Sequence, residues 1–80
     1  MTENLQQRIS MNPRIMAGKP VIRGTRIPVE LIVRMLAQGI SGDEILHEYQ
    51  RLQPEDIRAA LLYASQVLAN ENVYPLPVSA

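Results

Sequence analysis

The chain has 80 residues, and its formal net charge is zero because eight basic residues balance eight acidic ones. A chain of this length forms at most one domain with tails, and its core is small. The absence of cysteine excludes disulfide scaffolds, thiol catalysis and cysteine-ligated zinc, and one histidine is too few for a polyhistidine metal site. The sequence shows neither a signal peptide nor a membrane-length apolar run, so we expect a cytoplasmic protein that needs no cofactor.

The charged residues are distributed unevenly along the chain. Residues 1–34 hold six basic and two acidic side chains, a net charge of +4, and residues 35–80 carry the opposite net charge of −4. This asymmetry predicts an acidic or polyanionic partner for the N-terminal half. The alternative is that the acidic residues merely occupy the first turns of helices, where the helix dipole favours them.

The N-terminal part of the chain is predicted to contain a β-hairpin. Residues 1–7 are polar and are expected to fray. Residues 21–23 and 26–27 contain β-branched side chains and flank the pair Gly24-Thr25. Glycine at the first position of a two-residue loop favours a type II′ turn, so we expect these two segments to pair with each other.

Three helices are expected after the hairpin. The first covers residues 29–38, and the second begins at a Ser-x-x-Glu capping box formed by Ser41 and Glu44. The third runs from Pro54 to the polar residues 70–72. The residues expected to face the core are Val29, Ile32, Val33 and Leu36 in the first helix, Ile45, Leu46 and Tyr49 in the second, and Ile57, Ala60, Leu61, Ala64 and Leu68 in the third.

Together these elements predict a mainly α fold, a three-helix, helix-turn-helix module with an N-terminal β-hairpin, across residues 8–69. The last segment, residues 70–80, combines two prolines with alternating apolar side chains. We expect it to be extended and to dock into an apolar groove, either on a second copy of the chain or on another protein. A disordered end is the alternative.

Self-association is predicted from apolar residues that so small a core cannot take up. Leu31 and Met35 lie outside the inward-facing stripe of the first helix, and Leu62 lies outside that of the third. We expect these three residues at a homodimer interface. Singly exposed aliphatic residues are common in monomers, and they are the alternative.

The residues predicted to contact a partner or nucleic acid are Lys19, Arg23 and Arg26 near the hairpin and Arg58 in the third helix. The third helix also carries two acidic side chains in its first turn, and carboxylates repel phosphates. The hairpin is therefore the better candidate for any DNA contact. No nucleophile with its base and no pair of carboxylates in a pocket can be recognised, so we do not expect an enzyme.

A longer pattern resembles a known family. The run GKPVIRGTRIPV at residues 18–29, with Met11-Asn12-Pro13 before it and Gly39-Ile40-Ser41 after it, is similar to the small bacterial domain of unknown function numbered family 433, which is grouped with VapB-type antitoxins. The resemblance covers residues 9–69. Gln50 departs from it, standing where proline is common. Gln53 also departs, standing where Ser or Thr usually caps the third helix, and such a loss costs about 0.5–2 kcal/mol unless another acceptor replaces it.

The resemblance implies a homeodomain-like, usually dimeric fold and a role in a toxin–antitoxin pair. The implied partner is a PIN-like ribonuclease toxin whose active site is acidic and binds metal. Arginine pairs bidentately with carboxylates that would otherwise hold Mg²⁺, so the basic hairpin is suited to neutralise such a site. The same residues could hold the phosphates of operator DNA. A protein-interaction module that does not bind DNA is the alternative function.

Overall fold

The computed structural model describes residues 4–70. The elements in chain order are a 3₁₀ turn (Leu5–Arg8), strand β1 (Ile9–Ser10), a second 3₁₀ turn (Met16–Gly18), strand β2 (Val21–Ile22), and helices α1 (Val29–Ala37), α2 (Gly42–Glu48) and α3 (Pro54–Asn70). The fold is mainly α with a two-stranded antiparallel sheet near its N-terminus, as the sequence predicts. The extended segment predicted after Asn70 lies outside the described residues.

The two strands pair differently from the predicted tight hairpin. β2 pairs with β1, in a register that places Ile9 opposite Ile22. The expected return strand contributes a hydrogen bond from the Ile22 amide to the Ile27 carbonyl, at 3.0 Å, and a single bridge from β2 to Pro28. Pairing with β1 is favoured because it buries Ile9 in the core, whereas Ile27 is only half-buried.

The turn after β2 is of type II and not the predicted type II′. The Thr25 amide donates to the Ile22 carbonyl at 3.0 Å, so Arg23 and Gly24 are the central residues of the turn. Gly24 has a φ of +82°. A positive φ at the second central position characterises type II, and glycine adopts it without strain.

The second 3₁₀ turn has a left-handed backbone. Met16, Ala17 and Gly18 have φ values of +50°, +57° and +82°. For residues other than glycine, this region costs roughly 1–2 kcal/mol per residue. Hydrogen bonds from the Gly18 amide to the Ile15 carbonyl and from the Lys19 amide to the Met16 carbonyl, both 3.1 Å, close the turn and offset that cost.

The end of α1 and the start of α2 follow local sequence rules, as predicted. At the end of α1 the Gly39 amide donates to Leu36 and the Ile40 amide donates to Met35, both at 3.0 Å, and Gly39 has a φ of +89°. This is the Schellman arrangement, which favours glycine at the left-handed position. At the start of α2 the Ser41 hydroxyl accepts a hydrogen bond from the Glu44 amide at 3.1 Å, which confirms the predicted cap.

The start of α3 is capped from inside the helix. Asp56 extends its carboxylate back to the Gln53 amide, and its Oδ2 accepts that hydrogen bond at 2.8 Å. This bond is one half of a capping box, and the Asp56 amide, from which a Ser or Thr side chain at position 53 would accept, donates instead to the Gln53 carbonyl at 2.9 Å. Asp56 is also the buried charged residue of the core region, with 4% of its surface exposed.

The core lies where α1, α2, α3 and the sheet meet. Its buried residues are Ile9, Ile22, Val29, Ile32, Ile45, Leu52, Ala59 and Ala60. The predicted inward faces of α1 and α2 are confirmed, because their members are buried or packed against this cluster. Two predicted core residues of α3 are wrong, since Leu61 is 46% and Leu68 is 68% exposed. The first 3₁₀ turn and β1 pack against α3 and draw the opposite side of the helix, with Ala59 and Tyr63, into the core instead.

Candidate partner-binding surface

Two of the basic residues near α1 form an ion-pair cluster with one acid. The Lys19 ammonium lies 2.8 Å from Glu30 Oε1, and Arg34 Nη2 lies 3.7 Å from Glu30 Oε2. The hydrogen bond from Lys19, with the charges of Lys19 and then Arg34, lowers the pKa of Glu30 below its ordinary value. Lys19 is therefore placed at the protein surface as predicted, but it already has a partner.

Arg23 has a structural role as well as a charge. Its Nε donates to the Gln7 carbonyl at 2.5 Å, and its Nη2 donates to the Ile9 carbonyl at 3.2 Å. These bonds tie the turn after β2 to the first 3₁₀ turn and to β1. Arg23 therefore presents a fixed guanidinium group at the surface, and its removal affects the fold as well as any partner contact.

The other two predicted contact residues are exposed. Within residues 4–70, neither Arg26 nor Arg58 makes a side-chain hydrogen bond or ion pair. Arg26 lies in the loop after Gly24, and Arg58 lies on the second turn of α3. Both guanidinium groups are therefore available to a partner without loss of an internal contact.

The fold also brings together three arginines that no sequence pattern links. Arg8, Arg23 and Arg51 line one notch of about 250 Å³, together with Gln53 and Asp56. Arg8 Nη1 is 2.9 Å from Asp56 Oδ1, so one positive charge in this arginine notch is balanced internally. Sequence reasoning missed the contribution of Arg8 and Arg51, because they come from the first 3₁₀ turn and from the loop between α2 and α3.

An apolar groove lies between α1 and α3. It has a volume of about 540 Å³. The residues that line it are Val29, Val33 and Ala37 of α1, Tyr63, Ala64, Val67 and Leu68 of α3, Pro20, and the charged Lys19, Glu30 and Arg34. We refer to this feature as the α1–α3 groove. Leu68, the most exposed large apolar residue in the described part of the chain, forms part of its wall.

The solvent-facing side of α3 is mostly apolar. Leu61, Leu62, Val67 and Leu68 are all exposed, and Arg58 is the charged residue among the exposed side chains of this helix. On the other flank of α3, Leu62 and the exposed Met11 line a smaller pocket of about 200 Å³. Apolar surface on both flanks of one helix is typical of a site that is covered by another protein chain.

The residues predicted for a dimer interface do not share one surface feature. Leu31 is half-buried, and Met35 is half-buried against the core cluster. Leu62 is exposed and lines the smaller pocket on α3. Neither Leu31 nor Met35 lines the α1–α3 groove. Self-association through these residues therefore stays a prediction.

Residues 4–70 contain no cluster of three or more histidine, aspartate or glutamate side chains that could hold a metal ion. His47 is exposed near the end of α2. In the same part of the chain, no helix combines the length and the apolar character needed to cross a membrane.

The family profile described as "Protein of unknown function (DUF433)" matches residues 9–64. The chain belongs to this family. The match includes Arg23 and Arg51 of the arginine notch, and it ends before Val67 and Leu68 of the groove. The membership confirms the family that the GKPVIRGTRIPV run indicates, and it assigns the DUF433 chain no activity.

Relatives of this DUF433 chain are found in bacteria and archaea. "Uncharacterized protein y4eO" of Sinorhizobium fredii is 39% identical over 56 residues, which are 70% of this chain and 25% of the relative. An "Uncharacterized protein" of Archaeoglobus fulgidus is 52% identical over 29 residues, 36% of this chain and 81% of the relative. The chain thus spans only a quarter of the length of the first relative.

A solved structure has the same fold. The crystal structure of a DUF433 member protein from Anabaena variabilis, at 2.00 Å resolution, superposes with a TM-score of 0.74 and 38% sequence identity. The superposition covers 81% of this chain and 64% of the Anabaena chain.

Proposed function

We propose that this DUF433 chain is an antitoxin-like regulator that acts by binding another protein, a PIN-like ribonuclease. The homeodomain-like interpretation of its three helices and the VapB-type antitoxin role are both part of this proposal. The observation that carries it is the apolar, solvent-facing side of α3 together with the α1–α3 groove.

The composition of α3 favours a protein partner over DNA. A helix that reads bases in the major groove carries several Arg, Lys, Asn or Gln side chains on its exposed side. The exposed side of α3 instead carries three leucines and a valine, with Arg58 as its basic residue. The helix begins with Glu55 and Asp56, which adds negative charge at the end where phosphates would approach. These features support the interaction module more strongly than the operator-binding role.

The charges around the apolar surface suit an acidic partner. Lys19 and Arg34 lie at the edge of the α1–α3 groove with one acid, Glu30, between them. Arg26 and Arg58 add two exposed guanidinium groups. Apolar contact supplies most of the affinity of a protein interface, while complementary charge at its rim raises the association rate and the specificity. Exposed arginines would pair with the carboxylates of an acidic, metal-binding nuclease site.

The test is a binding measurement with two variants that each introduce one aspartate, inside and outside the proposed interface. The ligand is the PIN-like protein encoded beside this chain, and the method is isothermal titration calorimetry. Leu68→Asp places a charge in the groove wall at a residue that is already mostly exposed, so the fold is preserved. Gln50→Asp places the same charge at an exposed residue after α2 that lines neither the α1–α3 groove nor the smaller pocket on α3.

We expect tight binding by the unchanged chain and a loss of at least about 2 kcal/mol for Leu68→Asp, because an interface does not accommodate an unpaired carboxylate. Gln50→Asp should bind as the unchanged chain does. Equal binding by the two variants, or no PIN-like reading frame beside this one, would contradict the proposal. Binding to operator DNA without any binding to the ribonuclease would favour the DNA role instead.

A further inference from the structure

The arginine notch holds more positive charge than its own residues balance. Of the charged side chains that line it, Arg8 and Asp56 form an ion pair at 2.9 Å. Arg23 and Arg51 remain, and within residues 4–70 neither forms an ion pair with a carboxylate. Among the described residues, the notch therefore has two positive charges without a carboxylate partner. Like charges held together raise the free energy of the fold unless an anion lies between them.

Both arginines are held in place by backbone carbonyls. Arg23 uses Nε and Nη2 to bond the Gln7 and Ile9 carbonyls, and Arg51 Nη1 lies 3.4 Å from the Gly24 carbonyl. A guanidinium group has five N–H donors. Arg23 and Arg51 therefore keep most of their donors for a ligand, while their positions are set by the fold. A preorganised donor set loses less conformational entropy when a ligand binds.

The charge and the donor count match a phosphate group better than a carboxylate. A phosphate monoester carries about −1.5 to −2 charges near neutral pH and has three strong acceptor oxygens. One arginine fork is sufficient for a carboxylate, whereas two arginines that approach from different elements suit a tetrahedral oxyanion. Sites for drug-sized ligands occupy about 300–1,000 Å³. The volume of about 250 Å³ is below that range and is consistent with a single charged group and its water.

We propose that the arginine notch is a binding site for a phosphate group, held between the guanidinium groups of Arg23 and Arg51. The Arg8–Asp56 ion pair forms one side of the site and keeps the Asp56 carboxylate neutralised. The Gln53 side chain, which precedes α3, lines the same notch. This inference does not depend on the proposed antitoxin role.

The experiment is a titration of the ¹⁵N-labelled chain with sodium phosphate at constant ionic strength, followed by NMR through backbone amides and arginine Nε signals. Arg51→Gln removes one of the two guanidinium groups at the cost of a single long hydrogen bond. Arg58→Gln is the control, because it removes the same charge from a residue that does not line the notch. Arg23→Lys keeps the positive charge and removes the planar, paired N–H donors of the guanidinium group.

Phosphate is expected to shift signals of residues 7–9, 23–24 and 51–53. Arg51→Gln should weaken phosphate binding at least about tenfold, as expected for the loss of charge-assisted hydrogen bonds. Arg23→Lys should weaken it as well, and Arg58→Gln should leave the affinity within about twofold of the unchanged chain. Equal affinities for Arg51→Gln and Arg58→Gln would overturn the proposal.

Two further ligands define the chemistry of the site. Sodium glutamate, titrated at the same ionic strength, is expected to bind more weakly than phosphate. Glutamate binding that equals or exceeds phosphate binding in the notch would assign a carboxylate and overturn the phosphate assignment. Adenosine monophosphate tests whether the phosphate group in the notch belongs to a nucleotide. Affinity equal to that of phosphate supports a site for the phosphate group alone, and higher affinity supports a nucleotide as its source.

Discussion

Asp56 offers the sharpest test of how this small fold is held together. Its Oδ1 accepts a hydrogen bond from Arg8 Nη1 at 2.9 Å, and its Oδ2 accepts one from the Gln53 amide at 2.8 Å. The first contact fastens the N-terminal 3₁₀ turn to α3, and the second caps α3. Replacing Asp56 with alanine therefore removes a tertiary contact and a helix cap in one step.

The magnitude follows from these two contacts. A hydrogen bond to a charged group contributes about 1.5–3 kcal/mol, so the two together are worth about 3–6 kcal/mol. The Arg8 side chain is still 23% exposed and has a further contact, so losing its contact with Asp56 should cost free energy at the low end of this range. We expect Asp56→Ala to lower the free energy of unfolding by about 3–4 kcal/mol. A domain of this size has a total stability of about 4–12 kcal/mol, so this variant is close to unfolding.

The assay is urea denaturation followed by far-UV circular dichroism, with variants that remain measurable. Asp56→Asn keeps an oxygen that can accept from the Gln53 amide, so it should lose about half as much stability. Arg8→Met keeps an unbranched apolar stem and removes the charged guanidinium group. The double variant Arg8→Met with Asp56→Asn should show a coupling energy of about 1 kcal/mol or more between the two positions. A loss of unfolding free energy below about 1 kcal/mol for Asp56→Ala would refute the role given to Asp56 in holding α3. Strict additivity of the two single variants in the double-mutant cycle would refute it as well.

Three further predictions concern the backbone, the ion pairs and the assembly. Gly42→Ala should stabilise the chain by about 0.4–1 kcal/mol because its added Cβ would make an ordinary contact. Gly24→Ala should destabilise the chain by about 1–2 kcal/mol because φ is positive at Gly24. Urea denaturation of both variants tests this difference. NMR titration should give Glu30 a pKa below the ordinary value of 4.5, and Lys19→Met should raise that pKa. The Lys19–Glu30 pair should stabilise the fold above the pKa of Glu30 in the unfolded chain, and this contribution should be lost as the pH falls through the pKa in the folded chain. An unchanged pKa in Lys19→Met would refute Lys19 as the cause of the shift. Sedimentation at micromolar concentration should show a dimer that Leu31→Asp dissociates, and a single 9.0 kDa species for the unchanged chain would exclude it.

The parts of the fold that the sequence predicts correctly are those determined by near neighbours. The Ser41 cap, the glycine that ends α1 and the start of α3 at Pro54 each depend on residues within one or two helical turns. The apolar periodicity of α1 and α2 identifies their buried faces for the same reason. Local chemistry is sufficient for these features.

The features that the sequence does not predict depend on contacts between distant segments. β2 forms its ladder with β1, which brings Ile9 into the core, while the nearer return segment adds only a single bridge at Pro28. The same N-terminal segment covers the Ala59 side of α3 and leaves Leu61 and Leu68 exposed. A helical periodicity shows that a helix has an apolar face, but it does not show which neighbour covers that face.

The candidate binding residues also differ in whether the sequence alone predicts them. Lys19 and Arg26 could be selected because they lie in one basic run, and the structure places both at the surface. The arginine notch is assembled from three segments that are separated by long stretches of chain, so no spacing pattern indicates it. Asp56 illustrates the limit well, since its position in the first turn of α3 predicts an exposed acid while the fold buries it against Arg8.

The most direct test of the proposed function is the activity of the PIN-like ribonuclease in the presence of this chain. A PIN-like ribonuclease encoded beside it, as the proposal requires, would be assayed on a fluorescent RNA while the DUF433 chain is added in increasing amounts. We predict that cleavage falls to background near equimolar chain, that Gln50→Asp inhibits equally well, and that Leu68→Asp fails to inhibit at the same concentration. Full ribonuclease activity at a large excess of the unchanged chain would contradict the account.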